Sequence, residues 1–158
     1  MVGRGEPTGR SSSSWRWNNI PLPEPHMLGF LMSAVLHFAR PWRLPRRSWL
    51  NSAAGLALVG AGVGISALAM RSASGVDLER PYTLIYSGPY AISRNPMYMG
   101  WTVLYLGAAL VTRNAWMVAS LPVVAGAIHR EVLQEERTLE GAFGEEYLRY
   151  RKLVRRYL

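Results

Sequence analysis

The chain contains no cysteine, which excludes disulfides, thiolate nucleophiles and zinc–thiolate sites and leaves any catalysis to other groups. Charge is also scarce: charged residues are 18% of the 158, below the roughly 25% of soluble domains. Acids are the rarer sign, 10 Asp and Glu against 18 Lys and Arg, for a net charge of +8. The arginines flank apolar segments instead of forming one solvated basic domain, so anionic lipid headgroups are the expected counter-charge and nucleic acid is not an expected partner. No dinucleotide glycine fingerprint is present, which argues against a nicotinamide-dependent reductase. No metal is expected. Residues 1–25 lack the apolar core that a signal peptide needs; they hold Gly, Ser, Pro and Arg and end in IPLPEP, the composition of a disordered tail.

What is abundant is apolar and aromatic: 49% hydrophobic residues, six Trp and eight Tyr. The mean hydropathy of +0.02 averages apolar stretches with Arg-rich connections and hides the spans. Met27 to Ala39 falls short of the roughly 20 residues that cross a bilayer, so it reads as a short, tilted or re-entrant span. Arg40 to Arg47 carries four arginines and two prolines, which end that helix and anchor it to headgroups. Leu50 to Met70 holds no charge and reads as a full span, with Gly60 and Gly64 a candidate small-xxx-small contact or simply part of a glycine-rich helix. Residues 71–95 form a long polar loop of the kind that carries function.

Residues 96–111 and 115–133 are two more apolar helices joined at Thr112, Arg113 and Asn114, an antiparallel hairpin whose second helix Pro122 should kink. Beyond them, Tyr147, Tyr150, Val154, Tyr157 and Leu158 recur at helical spacing opposite Arg149, Lys152, Arg155 and Arg156, predicting an amphipathic helix on the membrane surface. The expected fold is therefore an all-α integral membrane protein. It has about four transmembrane helices, the first short or re-entrant, and a C-terminal amphipathic helix, with residues 26–158 one domain. The loop at 71–95 and the region 134–158 then share one side, which its excess of Lys and Arg assigns to the cytoplasm.

Two polar clusters meet water at one end of the hairpin: GPYAISRNPMY, Gly88 to Tyr98, and HREVLQEERTLEGAFGEEYLRY, His129 to Tyr150. Asn95 and Pro96 suit the start of a helix, whose unpaired N–H groups attract anions. Arg94 adds a cation able to grip a carboxylate. Glu135 and Glu136, just past the apolar stretch, are costly near hydrocarbon and imply partners. Each feature alone is also what an ordinary helix end at a membrane surface would show: a cap, a snorkelling arginine, an aromatic belt.

Together, GPY-x3-RNPMY, the two-helix hairpin, the EE pair and FGEEY-x2-Y resemble the isoprenylcysteine carboxyl methyltransferases and their phospholipid methyltransferase relatives. The resemblance covers roughly Pro81 to Val154. It implies S-adenosylmethionine as cofactor, held by Tyr82, Thr83, Leu84, Ile85, Tyr90, Asn95, Pro96, Met97, Tyr98 and Glu135. It also implies a reaction on a lipophilic acceptor, an isoprenylcysteine-like carboxylate or a lipid. Arg94, Glu136 and Arg130 are the expected catalytic residues, Arg130 standing one residue off the family's spacing. Asn95 stands where isoprenylcysteine enzymes typically carry histidine, so hydrogen bonding is kept and titration near neutral pH is not. The alternative is a non-catalytic lipid-binding or interaction module with the same fold.

Overall fold

A computed structural model describes residues 24–45, 49–73 and 83–158, and it is all-helical among them. Five helices follow in order: α1, Glu24–Ala39; α2, Trp49–Ala73; α3, Pro96–Thr112; α4, Ala115–Phe143; α5, Glu145–Leu153; a single 3₁₀ turn at Gly88–Ala91 precedes α3. Almost all of the predicted tail, and most of the first part of the long loop, lie outside the described residues. α1 begins at Glu24, inside the stretch assigned to the tail. Among the described residues one helix, Asn51–Ala73, is long and apolar enough to cross a membrane by length and composition.

The tightest pairing is α2 against α3, antiparallel, and glycine makes it. A Cβ on Gly107 would sit 2.6 Å from the Val59 backbone nitrogen, and one on Gly62 would sit 2.5 Å from that of Leu104. Gly55 faces Val111 and Gly100 faces Ser66 across the same seam. Gly55 and Gly62, like Gly100 and Gly107, are seven residues apart, two helical turns, and so share a face. The expected pair is corrected here: a Cβ on Gly60 or Gly64 would meet nothing within 4 Å, because two residues from Gly62 is about 200° around the helix.

The hairpin forms as expected, turning at Arg113, whose φ is 54°, and Asn114. Asn114 caps α4 by accepting from Trp116 N at 3.0 Å and donates to the Ser33 carbonyl at 3.1 Å. The arginine-rich connection braces this turn: Leu44 N donates to Arg113 O at 2.9 Å and Ala115 N to Trp42 O at 3.0 Å, while the Arg113 guanidinium donates to Leu44 O. α1 docks on the hairpin through a buried triangle of hydroxyls, Ser33, Tyr105 and Ser120, with sides of 3.2, 3.2 and 2.8 Å. Such bonds hold apolar helices together where hydrophobic burial contributes little.

Two further expectations change. α4, with Pro122 inside it, runs to Phe143, ten residues past the predicted end, because EERTLEGAF is made largely of good helix formers. The C-terminal amphipathic helix is shorter than its periodicity suggests and its apolar side does not face lipid. Tyr147, 1% exposed, and Tyr150 pack with Leu84 against Leu139, Phe143 and Val154. Val154 is extended, and the last residues leave the helix to cross the loop before α3.

Candidate active site

At the end of the hairpin away from Arg113, the two polar clusters meet. Tyr98, in the first turn of α3, donates its hydroxyl to Glu135 Oε1 on α4 at 2.7 Å, across 37 residues of sequence. Consecutive residues on a helix point about 100° apart, so Glu135 and Glu136 divide. Glu135 lies at the exposed rim. Glu136 lies on the buried face of α4 with Val124, Ile128 and Val132, and is 6% exposed.

A buried carboxylate requires compensation, and two arginines supply it. Arg156 donates to it in bidentate fashion, Nε to Oε1 at 3.1 Å and Nη2 to Oε2 at 2.9 Å. Arg94 approaches Oε1 through Nη2 at 3.2 Å, its side chain only 7% exposed. Both oxygens of Glu136 thus face guanidinium groups, which makes it the shared ion-pair partner of Arg94 and Arg156. Arg94 Nε and Nη1 and the Tyr147 hydroxyl are buried without a hydrogen-bond partner.

The C-terminal residues strap this cluster shut. Arg94 N donates to Arg155 O at 2.9 Å; Ser93 Oγ and Asn95 Nδ2 donate to Arg156 O at 3.2 and 3.1 Å. Tyr157 and His129 are joined at 2.9 Å, and Tyr150 donates to Tyr90 O at 2.7 Å. Every one of these bonds ends on the stretch before α3 or on α4.

Burial shapes the ionisation here. Packing around the Glu135 carboxyl raises it above the ordinary carboxylate range although part of its surface reaches the open, and the Tyr98 hydroxyl opposes that shift. Tyr90 is pushed up to about 12, by burial first and by the Glu135 charge second.

Residues 50–146 match the family model for phospholipid methyltransferases. The chain belongs to this family. The match begins at residue 50, so α2 is part of the family's fold, beyond the stretch that carried the motif resemblance. Among curated relatives, protein-S-isoprenylcysteine O-methyltransferase of Rattus norvegicus is 34% identical over 119 residues, covering 70% of this chain and 42% of the relative. That of Homo sapiens is 36% identical over 74 residues, covering 46% and 26%. The chain therefore spans less than half the length of these relatives. The solved structure of the eukaryotic intramembrane Ras methyltransferase, an isoprenylcysteine carboxyl methyltransferase, has a similar fold, with a TM-score of 0.63 and 23% identity over 83% of this chain and 49% of that one.

Within this family fold the expected site residues separate. Tyr90, Arg94, Asn95, Tyr98, Glu135 and Glu136 gather at the mouth. Tyr82 lies outside the described residues; Thr83 is exposed and Ile85 half-buried. Leu84 is core, packed with Tyr147 and Tyr150. Pro96 and Met97 are buried in the first turn of α3. Asn95 occupies the cap position, but its side chain makes no cap bond and instead fastens the C-terminal strap. Arg130 stands apart from this group: it is exposed, and two residues past Ile128 it falls on the face of α4 opposite the buried one. Arg156, Tyr147 and Tyr150 went unassigned because the tyrosines read as one apolar stripe and Arg156 as its solvated reverse. The break at Leu153 carries no Gly or Pro to announce it.

Proposed function

We propose that the chain is an S-adenosylmethionine-dependent methyltransferase acting on a lipophilic acceptor, an isoprenylcysteine-like carboxylate or a lipid, at the cytoplasmic face of a membrane. One observation carries this reading: Tyr98 and Glu135 meet beside a cluster of buried Arg94 and Glu136 with half-buried Arg156 that keeps one net positive charge, in a member of a methyltransferase family. α1, α2, α3 and the first part of α4 would cross the bilayer. Their outward residues support it: Leu28, Leu31, Met32, Val35 and Phe38 of α1, and Leu56, Val63 and Leu68 of α2, are all exposed, where lipid tails would cover them.

The residues present fit the cofactor. Arg94 has two buried donors unpartnered, which suits a carboxylate. Glu135, at the rim, is an acceptor for an ammonium or a ribose diol, and Tyr90 and Tyr98 offer aromatic faces to adenine or to a sulfonium. When bound, S-adenosylmethionine supplies a methyl group on a positively charged sulfur, open to in-line attack. The chain's part is to hold the two reactants in that line and exclude water; a carboxylate acceptor needs no base. The strap covers residues 93–95, and in this reading the acceptor reaches the site from the bilayer. Calorimetry on purified protein in detergent tests the reading. Saturable binding of S-adenosylhomocysteine, weakened by Glu135→Ala, is expected; no binding by the unaltered protein would refute it.

A further inference from the structure

Two cations, Arg94 and Arg156, share one buried carboxylate, Glu136. Arg156 takes both of its oxygens, and Arg94 is left with a single contact through Nη2. The opposite edge of Arg94, Nε and Nη1, is buried with no partner, and so is the hydroxyl of Tyr147. The Tyr147 hydroxyl lies against the Arg94 guanidinium, within range of a weak side-chain hydrogen bond though in no well-formed one, and is near enough to Glu136 to feel its charge. A buried guanidinium edge with nothing to donate to is costly, and so is a buried hydroxyl. Three such donors in one cluster of net charge +1 describe the complement of a single oxyanion with two acceptor atoms.

We propose that the free edge of Arg94 and the Tyr147 hydroxyl form a buried recess for a carboxylate, with Tyr147 fixing its orientation. The proposal rests on the methyltransferase reading and sharpens it. Two sources supply a carboxylate there: the amino-acid end of the cofactor, or the acceptor itself. Arg156 and Glu136 close the far side of the recess and hold Arg94 in place, so the ligand's group meets Arg94 edge-on in the bidentate geometry that guanidinium favours. Tyr147 stands on the buried face of α5, at the end of the FGEEY segment, and its ring packs with Leu84 and Tyr150; Tyr147→Phe keeps that ring and removes only the hydroxyl.

The test compares carboxylate ligands with matched ligands lacking it, in full-length protein in detergent. One arm uses S-adenosylhomocysteine and its decarboxylated analogue. The other uses a thioether amino acid bearing a 15-carbon isoprenyl chain, as free acid and as amide. In one arm the unaltered protein should prefer the acid, and Tyr147→Phe should shrink that preference by about tenfold while leaving the carboxylate-free ligand's affinity within about twofold. The arm in which this happens names the source. Tyr150→Phe also removes a buried hydroxyl, bonded to Tyr90 O, and should move both ligands of a pair together. Tyr147→Phe acting equally on acid and carboxylate-free ligand in both arms, or on neither, would overturn the proposal. Failure of the unaltered protein to bind either adenosyl ligand strikes at the methyltransferase reading instead, and the acceptor arm still decides the recess.

Discussion

Glu135 and Glu136 are neighbours in sequence, and their difference in role comes from one residue's rotation about α4. Glu136 is committed to two arginines; Glu135 holds one hydrogen bond from Tyr98 and keeps acceptor capacity for a ligand. Burial raises the Glu135 carboxyl above its ordinary range, so the ionised form that takes an ammonium or a diol is complete only above that raised value. Affinity for S-adenosylhomocysteine should accordingly fall as pH drops through it, at higher pH than for a solvated glutamate. Glu135→Gln should remove that step and bind weakly at all pH values; titration calorimetry across the acid range reads both. If the step survived in Glu135→Gln, another group would have to own it. The EE pair was legible in the sequence, as were Arg94 and Tyr98, because carboxylates and cations beside an apolar helix stand out. Arg156 was not, since an arginine two residues from the end of a periodic stretch looks like any solvated one.

The hairpin and the long helix before it were legible as elements because apolar runs broken by Pro, Asn and Arg mark helix ends with local chemistry. The partner of each face was not. Gly60 and Gly64 stand four apart in the small-xxx-small spacing, whereas the seam glycines Gly55 and Gly62 stand seven apart, and only the assembled fold selects between them. That selection has an energetic consequence. Gly62→Val or Gly107→Val puts a side chain into the backbone of the facing helix and should destabilise the protein by about 1–3 kcal/mol, the usual cost of overpacking. Gly60→Val and Gly64→Val, in open surroundings, should be near neutral. Thermal unfolding in detergent distinguishes the two pairs; equal losses at all four positions would mean that the α2–α3 seam is not where glycine places it. The end of α5 was illegible for a related reason. Val154 becomes extended where the chain turns to meet residues 93–95, and no local signal encodes a contact 60 residues away.

For the whole molecule, the described helices bring one end of a bundle to a closed polar mouth while the other end is braced by the Arg40 to Leu44 connection. The family membership covers residues 50–146, and the strap at 154–157 completes the site from outside that stretch. The chain spans 42% of the length of the rat protein, so its acceptor has to be found by direct measurement on this chain. Incubation of the purified protein with methyl-labelled S-adenosylmethionine and total membrane lipid, followed by chromatography of the organic extract, measures the proposed reaction itself. The account predicts label in a lipophilic product with the unaltered protein and its loss with Arg94→Gln. Label in neither lipid nor lipid-modified protein, from preparations that bind S-adenosylhomocysteine, would contradict it.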